Sequence, residues 1–150
     1  MKYYPHRMDL VDAVQRAKGP MDAAVIGRTT SNPLCPQWNE PFTPPISILR
    51  SVVDDSRGPA KVIELYKDWV MYLVVHCKFQ QNKDLNRILL GTLDSPIIED
   101  TSYSGDPYWG WGPSRIGINK LGKILMAVRD DLACNPTLDL GQDIDKLLGL

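Results

Sequence analysis

Cysteine is sparse in this chain, and what there is does not pair up. Cys35, Cys77 and Cys134 are odd in number and widely spaced, so they lack the close couples of zinc ligands or dithiol redox motifs. Cys77 falls inside a hydrophobic helical pattern and reads as a small buried residue. Its sequence neighbour His76 makes a poor catalytic partner, because adjacent helical positions point in different directions. Long apolar runs are missing as well. None approaches the ~20 residues of a membrane-spanning helix, and the opening MKYYPHRMDLVDAVQ has no signal-peptide core, so a soluble cytoplasmic protein is expected. Nor does one sign of charge dominate. With 17 Lys and Arg against 18 Asp and Glu, a net charge of -1 and no basic block, general coating of nucleic acid is not expected.

What remains is an ordinary globular composition. The chain has 150 residues, 43% of them apolar and 23% charged, enough for one core, and one domain over 1–150 is expected. In residues 8–18, Leu10, Val11, Val14 and Ala17 share a helical face before Gly19-Pro20 ends the run, and Pro20 suits the first position of a second helix. Residues 41–65 carry several prolines and a Gly-Pro pair, and read as a loop insertion. From Tyr66 onward, Trp69, Val70, Leu73, Val74 and Cys77 recur at three- and four-residue steps, which predicts the main core helix. Residues 83–90 predict a short helix using Leu85, Ile88 and Leu89, with Gly91 as its terminator. The apolar run PIIED predicts a strand ending in Glu99 and Asp100. A last long helix, buried through Leu121, Ile124, Leu125, Val128 and Leu132, is predicted to start at an Asn119 cap. The tail DIDKLLGL is amphipathic and short. The expected fold class is α+β, predominantly helical, with a small sheet of short strands.

The densest chemistry lies in DPYWGWGPSRIGINKLGKILMAVR, residues 106–129. A strand-end acid, an indole-rich loop and a helix start can converge there on one cleft. Free N–H groups at that helix start favour an anion such as phosphate, and Trp109 and Trp111 offer flat faces for a base. Gly122, in the first helical turn, costs roughly 1 kcal/mol against alanine, which suits a close approach to the backbone. Each feature also has a plainer reading. Glycines serve turns, tryptophans fill cores, acids stand in solvent, and Asn119 suffices as a cap.

The runs KFQQNKDLNRILLGT, PIIEDTSYSGDPYWGWG and GINKLGKILMAVRDDL resemble the second half of the NADAR family, also called YbiA-like N-glycosidases. The family's landmarks are a Lys-Phe, Gln and Asn segment, a strand ending in Glu, an Asp before Trp-Gly-x-Gly, then Gly-x-Asn-x-Leu-Gly and Leu-Met-x-x-Arg. Each has a counterpart here. Upstream, AKGPMDAAVIGR and TSNPLCPQWNE joined to YKDWVM resemble the family's earlier elements. The family pattern opens before the point where this chain starts, with a Glu-His-aromatic motif, and places the elements either side of 41–65 next to each other. The chain is therefore expected to be an N-terminally short version of the domain with an insertion.

The resemblance implies hydrolysis of a C–N glycosidic bond in a ribosyl-phosphate compound. The substrate would be a riboflavin-pathway ribosylamino-pyrimidine phosphate or a guanine-type base carrying ADP-ribose, with no metal and no cofactor. A carboxylate beside the oxocarbenium-like ribosyl state would stabilise its charge or activate water. Glu99 is the first candidate for that role and Asp106 the second. Trp109, Gly110, Trp111 and Gly112 would shape the base side, and Gly117, Asn119 and Gly122 would hold ribose or phosphate. Lys78 would meet an anion. The alternative is a catalytically inactive module binding ADP-ribose, a nucleotide or another protein.

Overall fold

A computed structural model describes residues 8–28, 34–44, 62–137 and 139–141. They fall into two compact units, Met1–Glu40 and Pro41–Leu150. In the first, helix α1 (Met8–Gln15) packs on helix α2 (Pro20–Arg28). Pro20 opens α2 where its missing N–H is not needed. Of the predicted α1 face only Leu10 is buried, and the helix stops at Gln15 rather than continuing to 18. A 3-10 turn follows at Pro36–Asn39.

The second unit is built on three helices, α3 (Tyr66–Gln81), α4 (Lys83–Leu90) and α5 (Lys120–Cys134). Helices α3 and α5 lie side by side and run in the same direction. Near their starts the Lys120 ammonium is 3.5 Å from Asp68, and further along the Tyr72 hydroxyl donates to Asp131 at 2.8 Å. Trp69, Tyr72, Leu73, Ile124 and Val128 form the centre of this core. The buried stripe of α3 differs from the predicted one. Val74 is 51% exposed, while Tyr72 and His76 are fully buried. For Tyr72 the reason is Asp131, also fully buried, which accepts its hydroxyl; His76 Nε2 lies 3.2 Å from the same carboxylate without a hydrogen bond to it. Polar side chains that pair can occupy a core that hydropathy alone would deny them.

Helix α4 buries Leu89 and leaves Ile88 67% exposed. Gly91 ends it as expected, in the right-handed region (φ -66°), and a left-handed residue comes two positions later at Leu93, with φ 48°. Helix α5 buries Ile124, Val128 and Leu132 as expected, with Leu121 and Leu125 half-buried. Cys77 is buried, whereas Cys134 is exposed.

The molecule is predominantly helical. The expected small sheet is not formed among the described residues, which hold no strand; Pro41 and Leu65 meet in an isolated antiparallel bridge. Residues 96–100 form no strand, because side chains and a loop, rather than a ladder, take up their backbone groups. Of the segment 41–65, residues 45–61 lie outside the described residues, as does the tail from 142 onward. The flanks of 41–65 are built into the second unit. The Phe42 N–H donates to the Glu64 carbonyl, Phe42 stacks on Trp69 at 5.8 Å, and Val62 and Ile63 are buried. No helix among the described residues is long and apolar enough to cross a membrane.

Candidate active site

Between Asp106 and Lys120 the chain folds back on itself and forms its own lining. Asp106 starts the loop by accepting the N–H groups of Tyr108 and Trp109 on one carboxylate oxygen, at 2.9 and 3.0 Å. This is the local bonding by which aspartate shapes a turn. The loop then meets the 97–101 segment. The Trp111 N–H donates to the Glu99 carbonyl at 3.0 Å, and the Gly112 N–H to the Thr101 hydroxyl at 2.9 Å. Gly110 makes this approach possible, since a Cβ there would strike the Thr101 side chain and the Glu99 carbonyl. Gly112 has a positive φ of 64°, and Gly117 lies against the carbonyls of Pro107, Gly110 and Trp111.

Asn119 does not cap α5 with its side chain. It sits in the left-handed region, φ 55° and ψ 43°, which asparagine tolerates better than most residues. From there its carboxamide acts as a two-ended clamp on the extended segment. The side-chain oxygen accepts the Glu99 N–H at 2.9 Å and the amide donates to the Ile97 carbonyl at 2.9 Å. Gly122 serves the same contact. A Cβ there would collide with the Ile97 carbonyl and the Asn119 carboxamide, so the close approach inferred from the sequence is made by the chain itself.

The helix start also differs from the anion cradle that the sequence suggested. The Asn119 N–H donates to the Gly110 carbonyl, the Lys120 N–H to the Tyr108 carbonyl and the Leu121 N–H to the Trp109 carbonyl, at 3.1, 3.0 and 2.9 Å. Three of the first-turn donors are therefore engaged within the chain. Lys78 is exposed on the last turns of α3, its ammonium 5.8 Å from the Phe79 ring centre. Ten helical residues separate it from Asp68, roughly 15 Å along the axis, and Asp68 is where the loop is anchored.

Three acids near the loop are in different states. Asp106 is occupied by the turn. Asp100 is fully exposed and held below the usual carboxylate range by hydrogen bonds from Ser102. Glu99 is half-buried, and its carboxylate has no hydrogen bond or ion pair among the described residues. Its backbone, by contrast, is held on both sides, by Asn119 and by Trp111. A free carboxylate on a fixed backbone, next to a loop with two half-buried indoles, is an arrangement that can face a developing cation.

Sequence reasoning missed a second cluster that supports the loop. Tyr108 donates its hydroxyl to Asp68 at 2.6 Å, and the Lys67 ammonium lies 3.8 Å from the centre of the Tyr108 ring. Burial and the bond to Asp68 push the Tyr108 phenol well above its ordinary value. The buried Lys120 ammonium bonds the Val62 carbonyl at 2.9 Å and Glu64 at 2.8 Å beside Asp68. The signal was present in the spacing: Lys120 is four residues before Ile124 and eight before Val128, on the buried face.

The NADAR domain family matches residues 6–133, most of the chain. The chain belongs to that family. Among curated relatives, N-glycosidase YbiA of Escherichia coli (strain K12) is 31% identical over 122 residues, covering 81% of this chain and 59% of YbiA. N-glycosidase Npun_R5314 of Nostoc punctiforme is 27% identical, over 82% of this chain and 62% of that protein. Riboflavin biosynthesis protein PYRR of Arabidopsis thaliana is 28% identical over 85% of this chain and 17% of its own length. The chain thus spans less than two thirds of the length of the N-glycosidases it matches. No solved structure shows a significant match. The motifs on which the sequence resemblance rests fall on this framework: PIIED carries Glu99, WGWG lies in the loop, and GINKLG supplies the clamp Asn119 and the contact glycine Gly122.

Proposed function

We propose that this chain is an N-glycosidase that hydrolyses the C–N bond between ribose and a nitrogen base in a phosphorylated ribosyl compound. The observation that carries the reading is Glu99, a half-buried carboxylate without a partner among the described residues, on a backbone clamped by Asn119 and the tryptophan loop. Membership of a family whose relatives are named N-glycosidases supports the reaction class. In the reaction, the C–N bond lengthens first and positive charge spreads over the anomeric carbon and ring oxygen. Glu99 stabilises that charge and takes a proton from the attacking water. The hydroxyl adds to the anomeric carbon and the departing nitrogen gains the proton. Trp109 and Trp111 form the wall against the base.

The substrate favoured is a ribosylamino-pyrimidine phosphate of the riboflavin pathway. The resemblance to a relative named for riboflavin biosynthesis supports it over guanine-linked ADP-ribose. Asp106 is the reserve acid, since one of its oxygens is engaged by the turn. The ribose and phosphate contacts expected of Gly117, Asn119, Gly122 and Lys78 are not kept in this proposal: Asn119 and Gly122 hold the Ile97–Glu99 segment, Gly117 packs on the carbonyls of Pro107, Gly110 and Trp111, and Lys78 lies along α3 away from the loop. The test is incubation of the purified chain with ribosylamino-pyrimidine phosphate and with ADP-ribosylated guanosine, with chromatography of free base and sugar phosphate. Release from the first is expected. A folded chain that binds either compound without turnover would overturn the enzymatic reading in favour of a binding module.

A further inference from the structure

Trp109 is half-buried, and one of its neighbours is unusually well held. The Tyr108 ring stands edge-on to the Trp109 ring, with centroids 5.1 Å apart and planes at 89°. Tyr108 is itself fastened at two further points. Its hydroxyl donates to the fully buried Asp68 at 2.6 Å, and the Lys67 ammonium covers its ring at 3.8 Å. Asp68 cannot readily move. Its other carboxylate oxygen accepts the N–H groups of Glu64 and Leu65 at 3.2 and 3.0 Å, and the buried Lys120 ammonium is 3.5 Å from it. The backbone of the same dipeptide is fixed to α5, since the Tyr108 and Trp109 carbonyls accept the Lys120 and Leu121 N–H groups.

We infer that Tyr108 is a positioning residue: its hydroxyl, held by Asp68, sets the plane of Trp109 and so the stacking of the base. This inference rests on the reading above, in which Trp109 walls the base. An indole on a loop has two side-chain torsions to fix, and stacking with a base is favourable only in a narrow range of planes. Edge contact with an anchored phenol removes the alternatives before the ligand arrives, so binding need not supply that ordering. Such a residue acts mainly on binding rather than on bond breaking.

The test is Tyr108→Phe in the full chain labelled with 5-fluorotryptophan. Its four tryptophans, Trp38, Trp69, Trp109 and Trp111, are assigned by single Trp→Phe variants. The variant keeps the ring volume, and Asp68 keeps Lys120 and its two backbone donors, so the unchanged Trp69 resonance serves as the check on folding. The expected result is a shifted and broadened Trp109 resonance, together with a KM raised about tenfold and a kcat within about twofold of wild type. An unchanged Trp109 resonance overturns the inference, and so does an altered resonance with KM unchanged. If the wild-type chain releases no base at all, the hydrolase reading fails on its own. The fluorine spectrum of Tyr108→Phe without ligand then still decides whether Tyr108 positions Trp109.

Discussion

The carboxamide of Asn119 accepts the backbone N–H of Glu99 at 2.9 Å across twenty residues of chain, and so ties the candidate acid to the start of α5. Two properties of Asn119 are needed at once, a left-handed backbone and a side chain with both a donor and an acceptor. Substitution can separate them. Asn119→Gly keeps the backbone and loses the clamp, and is expected to cost about 1–3 kcal/mol through the two lost bonds. Asn119→Ala also forces a Cβ into the left-handed region and is expected to cost roughly 1 kcal/mol more. Urea denaturation of both variants checks this order. Equal stability of the two would show that the backbone conformation carries no strain.

The flanks and the middle of 41–65 should respond differently to deletion. Phe42 stacks on Trp69, Val62 and Ile63 are buried, and the Val62 carbonyl and Glu64 both hold Lys120. Excising 41–65 is therefore expected to cost ~3–5 kcal/mol or more. Replacing only 45–61 by a short Gly/Ser linker leaves the Phe42–Glu64 pairing intact. Because closure entropy changes slowly with loop length, it should alter stability by about 1 kcal/mol or less. Thermal melts of the two deletions make the comparison. Equal losses would show that residues within 45–61 contribute to the core.

What could be read in the sequence was the part governed by local rules. The spacing of Ile124, Val128 and Leu132 marked the last helix, Pro20 marked the start of α2, and the density of glycine and tryptophan marked the loop before α5. What could not be read depended on partners far away in sequence. Tyr72 is buried because Asp131, 59 residues on, accepts its hydroxyl, and no periodicity within α3 announces that pairing. The same holds for Asn119. As a residue before a helix it reads as a cap, and only the position of Ile97 and Glu99 turns its carboxamide outward into a clamp. Gly122 was rightly singled out for close approach, but the approaching group is the Ile97 carbonyl.

The Tyr72–Asp131 pair gives the fold an alkaline limit. Burial, and next the neighbouring Asp131, hold the Tyr72 phenol far above its ordinary value. Above about pH 10 the unfolded chain releases this proton while the folded chain keeps it, so the unfolded state binds fewer protons. The contribution is therefore fully present below about pH 10 and is lost as pH climbs beyond it. Tyr72→Phe is expected to cost about 1–3 kcal/mol near neutral pH, because the buried carboxylate loses a donor. Above about pH 10 the gap between wild type and variant should narrow, since only the wild type then loses stability through this group. Urea denaturation of both proteins across that range measures it. A gap that stays constant would show that the phenol is not held as the geometry indicates.

The acid and the wall of the candidate site should fail in different ways. Glu99→Gln preserves shape and reach but removes the charge, and its backbone clamp is untouched because Asn119 bonds the main chain. Turnover is expected to fall by roughly 10²-fold or more, with ligand still bound. Asp106→Asn retains an oxygen that can accept the Tyr108 and Trp109 N–H groups, so the loop should keep its form and turnover should change by less than about tenfold. Trp109→Ala should weaken ligand binding by ~1–3 kcal/mol through lost stacking, with a smaller effect on the rate once substrate is bound. Steady-state kinetics on variants with wild-type melting behaviour separate the three. If Glu99→Gln turns over normally and Asp106→Asn does not, the charge that meets the ribosyl cation is Asp106. If both turn over normally, the hydrolysis does not use these carboxylates, and the loop is better understood as a surface that binds the base without breaking its bond.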